Sequence, residues 1–386
     1  MTPVRRVTGA GGAALLLAGV LTLGACGSGG SSTADGGPTS GPPSTAPSSD
    51  GPGTTSTPSA PSTGTSDHPA PVAATTALLD WQPVPGSTRD LVTVGGHWRL
   101  TVDPDGTAAR LEGPHPRTIR AGADARISDA FLDGTHALVV SEDKLAQTPD
   151  VATLVDLGSG GARSLDRTST PPTSVGGTWA LGPDTLAHAT AGPHASYCVT
   201  WLSLRTLRPE ADTCVPPRNG LSRASITADG ASLMRFDDHH PSCRTLLGRT
   251  DARAVPLPGV ADCRGWDSAA LSGGAAWSVI PNERRIEAAH FYAHTATGWY
   301  DLGPGTSGTL VACGGAAYFV RDPATRHDPA TLLRWNPTDA GLTTVFASKG
   351  RGNAFLSPPR CGGDHLTVTA FAAAGDQQVT ASVGAP

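Results

Sequence analysis

The chain has 386 residues, a formal net charge of −5, 16% charged residues and 5% aromatic residues. An acidic balance of this kind argues against a protein that binds nucleic acid by neutralising phosphates. Glycine and proline together number 82, yet no Gly-X-Y period runs through them, which excludes a collagen-like rod.

In chain order, the first element is a leader over residues 1–25. Arg5 and Arg6 supply a positive start, Ala13 to Leu23 an apolar stretch, and Leu23-Gly24-Ala25-Cys26 a run of small residues ending in cysteine. This is the plan of a secretory signal. Thr8-Gly9 lacks the hydrophobic residues that a twin-arginine signal carries after its arginines. Leu23-Gly24-Ala25-Cys26 resembles a bacterial lipobox. The resemblance implies cleavage before Cys26 and a diacylglycerol on its thiol. An ordinary cleaved signal with an incidental cysteine is the alternative. Seven cysteines favour the lipoprotein, because one for lipid leaves six, an even set for disulfides in an oxidising compartment. The expected location is the cell membrane, with the chain anchored by acyl groups on the extracytoplasmic face. The apolar run is too short to span a bilayer comfortably. Two lysines amid abundant Ala, Gly, Pro and Arg make the composition similar to that of high-GC actinobacterial proteins.

Residues 26–71 are the lipidated cysteine and a tether. Of the 45 residues Gly27 to Pro71, 19 are Ser or Thr, nine Gly and nine Pro, with no Lys, Arg, Phe, Trp or Tyr. Such a segment buries too little apolar area to offset its ordering entropy, so disorder is expected.

Residues 72–386 form the folded part. Short apolar segments such as Ala137-Leu138-Val139-Val140 and Val199-Thr200-Trp201-Leu202 alternate with Gly, Pro, Asp and Asn, the pattern of strands bounded by turns. Tight glycine turns recur. With Gly96, Gly134, Gly182, Gly230, Gly274, Gly315 and Gly363 as markers, the mean interval is 44.5 residues. That accommodates four short strands and their turns, one blade of a β-propeller. The expectation is an all-β, seven-bladed β-propeller, with six blades and then a tandem of β-sandwiches as alternatives. The last repeat has three strands, with its innermost expected over residues 354–359. The unassigned segment 75–82 is expected to close the ring as its fourth strand.

Ile226-Thr227-Ala228-Asp229-Gly230-Ala231-Ser232-Leu233 and Phe131-Leu132-Asp133-Gly134-Thr135-His136-Ala137-Leu138 resemble the degenerate repeats of TolB-like and WD40-like propellers. The resemblance implies a propeller fold and partner binding, and carries over no catalytic residue. Trp266-Asp267 is a single WD dipeptide.

The blade frame also suggests pairings for six cysteines. Cys198 with Cys214, and Cys243 with Cys263, flank hairpins of the third and fourth repeats. Cys313 and Cys361 precede equivalent Gly-Gly turns of the last two and would staple them together. None of the spacings is C-x-x-C, so a metal site is the weaker reading.

Candidate chemistry is sparse. Asp237-Asp238-His239-His240 is the densest polar cluster, although adjacent residues on a strand point opposite ways. His290 and His294 stand too far apart along a strand to share a metal. Asp103-Pro104-Asp105-Gly106 reads as a hairpin turn and not a calcium loop, and Arg284-Arg285 as a solvated turn. The eight tryptophans read as filling between blades. No G-x-S-x-G, H-E-x-x-H, P-loop or dinucleotide motif occurs. No catalytic, cofactor or metal residue is therefore assigned, and no cofactor is expected. The function expected is a surface-anchored binding or scaffold module for a protein or cell-wall component. The alternative is a secreted propeller hydrolase or lyase acting on wall glycans or peptides.

Overall fold

The structure is a computed structural model that describes residues 69–250, 253–349 and 354–384. The leader, Cys26 and the tether up to residue 68 lie outside the described residues. Within them, strands dominate, with one 3-10 turn at Pro193–Ala195.

Five sheets are meanders of four consecutive antiparallel strands, three of them unaugmented. The 91–120 sheet comprises Leu91–Gly95, Trp98–Val102, Ala108–Glu112 and Arg117–Arg120. The 179–215 sheet comprises Trp179–Leu181, Thr185–Ala191, Tyr197–Ser203 and Pro209–Val215. The 219–256 sheet follows with Asn219–Thr227, Gly230–Asp237, Arg244–Thr250 and Arg253–Pro256. The 265–306 and 311–347 sheets have the same meander, and each gains a fifth strand from the N-terminal segment.

The other strands share one nine-stranded sheet. One half is Ala125–Leu132, His136–Asp143, Val151–Asp156 and Ala162–Leu165. The other is Arg360–Gly362, His365–Phe371, Gln377–Ser382 and Gln82–Pro83, with Phe355–Leu356 paired to the far end of His365–Phe371. A parallel bridge between Gly362 and Leu132 joins the halves.

The expectation of seven blades, or of six, is therefore corrected. Among the described residues five blades stand as separate sheets, and the strands expected to make two more are fused. The physical reason is glycine. A Cβ on Gly95 would lie 2.6 Å from the Gly362 carbonyl oxygen, and one on Gly362 would overlap the Val94 carbonyl. With neither side chain present, the innermost strand of 355–382 crosses in front of Leu91–Gly95 and reaches Leu132. The innermost strand of this half begins within the expected 354–359, at Phe355–Leu356, is interrupted where Pro358 and Pro359 have no N–H to donate to a ladder, and resumes beyond the expected range at Arg360–Gly362.

Neighbouring sheets pack in chain order, and His365–Phe371 and Arg360–Gly362 pack against Leu91–Gly95, closing the ring. The core lies between sheets. Leu100, Leu111, Val139 and Val155 fill one interface, Val199, Trp201, Leu221 and Leu233 another, and Phe291, Phe319, Leu333 and Trp335 a third. The Phe291 and Phe319 rings stack at 4.1 Å. Second strands are covered on both faces, which is why Ala137-Leu138-Val139-Val140 is an unbroken apolar run. Outermost strands such as Ala162–Leu165 are mostly exposed. Burial of each large side chain contributes about 1.5–3 kcal/mol.

All seven marker glycines lie in or beside the connection between first and second strands. Gly314 and Gly315 have φ of 53° and 77°, the doubly positive pair that a type I′ hairpin turn requires.

The N-terminal segment laces three successive outer edges. Ala70–Pro71 pairs in parallel with Tyr300 and Asp301, Ala74–Thr76 in parallel with Leu342 to Thr344, and Gln82–Pro83 antiparallel with Val379 and Thr380. Ala70 and Pro71, which composition places in the tether, thus belong to a sheet. Trp81 Nε1 donates to the Val345 carbonyl at 2.8 Å, and its ring meets Phe346 edge-on.

Candidate functional site

Except for that of the 91–120 sheet, the first-to-second-strand turns converge around one opening, because successive meanders start at the centre of the ring. Behind it lies a cavity of about 900 Å³ to which all six sheets contribute. Apolar walls come from Leu132, Leu181, Ile226, Leu271, Leu310 and Val311, and the rim from turn residues including Pro183, Asp229, Ser272, Gly315 and Asp364. The 91–120 sheet supplies Thr93 alone, since Arg360–Gly362 lies in front of it.

Seven charged side chains line the cavity. Arg223 donates to Asp267 Oδ1 at 2.8 Å and lies over the Trp266 ring at 4.5 Å. Asp267 also accepts the Gly308 N–H at 2.7 Å and the Ser278 hydroxyl at 3.2 Å. Burial pushes the Asp267 carboxyl up, against the pull of Arg223. Asp133 accepts the N–H groups of Thr135 and His136 through Oδ1, while its Oδ2 is buried without a partner. Burial raises the Asp133 carboxyl as well. Asp364 Oδ1 lies 2.6 Å from His365 Nδ1, and Asp229 is exposed at the rim.

Arg360 and Arg334 complete the set. Arg360 Nε donates to Thr93 Oγ1 at 2.7 Å and one Nη to the Ala130 carbonyl, so it clips three innermost strands together. Burial lowers its pKa to about 10, partly offset by Asp129. Arg334 bonds the buried Tyr318 phenol, which desolvation pushes up to about 12. Arg334 Nε is buried without a partner.

Cys313 is bonded to Cys361, and both line this cavity. Cys198 is bonded to Cys214, its direct cross-strand neighbour with Cα atoms 4.0 Å apart. Cys243 is bonded to Cys263, which lies in the connection to the next sheet beyond the hairpin. Cys26 lies outside the described residues. The other sequence candidates fall elsewhere. In the 237–240 cluster, Asp238 pairs with Arg218, and Asp237 accepts the Cys243 N–H and lies 2.8 Å from His239 Nδ1, so these groups tie a loop. His290 contacts Asp301 at 2.6 Å, whereas His294 lies against Trp277 and Trp299. Asp103 accepts the Thr107 N–H and hydroxyl within a hairpin turn. Arg284 and Arg285 are exposed. None of the eight tryptophans lines the cavity, and Trp179, Trp201, Trp277 and Trp335 are buried. Among the described residues no group of three or more His, Cys, Asp or Glu is arranged to hold a metal.

Arg223, Arg334 and Arg360 are the lining residues that sequence reasoning passed over. The one visible signal was an arginine beside a marker turn, in Arg360-Cys361-Gly362-Gly363.

The sheets and their ring define the chain as an all-β propeller. No protein-family model matches it, and no curated protein is similar to it in sequence. Among solved structures, it is similar to the β-propeller domain of the Trilobed protease from Pyrococcus furiosus, with a TM-score of 0.52 and 8% identity, covering 76% of this chain and 95% of that one. BamB from Moraxella catarrhalis aligns with a TM-score of 0.41 at 11% identity over 79% of this chain and 99% of that one. Pyrococcus horikoshii acylaminoacyl peptidase aligns with a TM-score of 0.49 at 8% identity over 76% of this chain, which spans about half (52%) of that enzyme's length. Likeness at such identities concerns the fold alone.

Proposed function

We propose that this chain is a propeller binding module, held on the extracytoplasmic face of the membrane by lipid on Cys26, whose cavity engages a protein or cell-wall component. The observation that carries the reading is the cavity: a concave site of about 900 Å³ with mostly apolar walls and a few fixed polar groups. Asp133, Asp267 and Asp364 already accept hydrogen bonds from neighbours. The anchor is supported by the leader and by the cysteine inventory: six cysteines are bonded in pairs, and Cys26 is the one left over.

A photo-reactive side chain placed at the exposed rim residue Ser272 in intact cells tests the binding role. The expected result is a discrete cross-linked species that disappears when Leu181→Trp narrows the cavity. Absence of any cross-link, together with turnover of a wall glycan or peptide by the purified chain, would overturn it in favour of a hydrolase or lyase. For the anchor, Cys26→Ser should move the protein from the membrane fraction to the medium. Retention in the membrane would refute lipid attachment.

A further inference from the structure

We infer that the cavity takes a ligand bearing a single carboxylate, seated on the guanidinium groups of Arg360 and Arg334. The inference rests on the binding-module reading and names the chemistry of its ligand. Three observations point to it. First, neither arginine has a carboxylate within ion-pair distance among the described residues, whereas Arg223 in the same lining is paired with Asp267. Second, both are incompletely used. Arg360 spends Nε on Thr93 and one Nη on the Ala130 carbonyl, both neutral acceptors. No hydrogen bond of its second Nη is found among the described residues, and the side chain lines the cavity. Arg334 Nε is enclosed, faces no acceptor, and belongs to a side chain that lines the same space. Third, the carboxyl whose charge acts on Arg360 is that of Asp129, which burial itself drives towards the neutral form. A guanidinium surrounded by protein and left with free donors is matched by a planar oxyanion, which accepts two parallel N–H bonds.

The rim selects among oxyanions. Asp229 and Asp364 stand exposed in turns around the opening. Two negative groups at the entrance repel a dianion more strongly than a monoanion. They favour a ligand whose remaining body is neutral or positive, such as a chain ending in a carboxylate.

Calorimetric titration of the full chain with N-acetyl-alanyl-alanine, its C-terminal amide and inorganic phosphate tests this. The free acid should bind at least tenfold more tightly than the amide, and phosphate should bind more weakly than the acid. Arg334→Gln should cost the free acid at least tenfold and leave the amide unchanged. Arg360→Lys, which keeps the charge but loses the fork, should weaken the acid in the same direction. Equal binding of acid and amide, no binding of either, or tighter binding of phosphate overturns the carboxylate assignment. If the Ser272 cross-link persists in that case, the binding-module reading stands and only the ligand class has failed. Loss of both removes both.

Discussion

Two arcs of the ring are held together differently. In the 179–215 and 219–256 sheets each meander is one uninterrupted stretch of chain, and the disulfide associated with each spans 16 or 20 residues. In the closing arc, strands from opposite ends of the described chain share a sheet: Gln82 pairs with Thr380, and Trp81 bonds Val345. The disulfide there spans 48 residues and joins neighbouring innermost strands. The contiguous arc can form from local contacts, whereas the closing arc needs the whole ring and pays a larger loop-closure entropy. The difference teaches why covalent and hydrogen-bonded ties from distant residues concentrate where the ring shuts.

Disulfide removal should break this comparison most strongly. From the loop lengths, Cys313→Ala with Cys361→Ala should cost about 4 kcal/mol, and Cys198→Ala with Cys214→Ala about 3 kcal/mol. Denaturant unfolding of the two double variants checks the order, and a reversed order would mean that the closing arc is not the more entropically demanding one.

A smaller effect is expected at the N-terminal segment. Trp81→Phe removes the Nε1 bond to Val345 and keeps an aromatic ring against Phe346, so about 1 kcal/mol should be lost. Limited proteolysis should show faster cleavage before Val84 in this variant, with the 179–256 region unaffected. Equal cleavage rates would show that the segment is not held by this contact.

The smallest effect is a pH dependence within the contiguous arc. His188 is fully buried and stacks on Trp179, its Nδ1 lies 2.8 Å from the Ala189 carbonyl, and its Nε2 has no partner. Burial holds its pKa below the ordinary imidazole value. The unfolded chain therefore binds the proton more readily, so the contribution is present above the unfolded pKa of about 6.5 and is lost as pH falls below it. Urea midpoints should fall from about pH 7 towards pH 5, and His188→Phe should flatten that slope. An unchanged slope in the variant would assign the dependence to other groups.

Much of the strand pattern was legible from periodicity alone. The apolar segments Ala137-Leu138-Val139-Val140 and Val199-Thr200-Trp201-Leu202 lie within the strands His136–Asp143 and Tyr197–Ser203. The marker glycines identified the turns at the cavity mouth, because a hairpin's chemistry is local to two residues. The blade count was not legible. It depended on Gly95 and Gly362 facing each other across 267 positions of sequence, an approach that no local pattern announces. The cavity's arginines were equally hidden, since a single arginine on a short strand reads as solvated until the ring shows what lies opposite.

By itself, the amino-acid sequence determined that this protein is strand-rich, turn-punctuated every 45 or so residues and supplied with six cysteines for a folded domain. These follow from side-chain period and turn geometry, which act over a few residues. Only the tertiary structure decided how many sheets stand apart, which strand closes the ring and which charged groups share a cavity. Those outcomes arise where distant backbones come within hydrogen-bonding reach, and the approach depends on missing side chains as much as on those present.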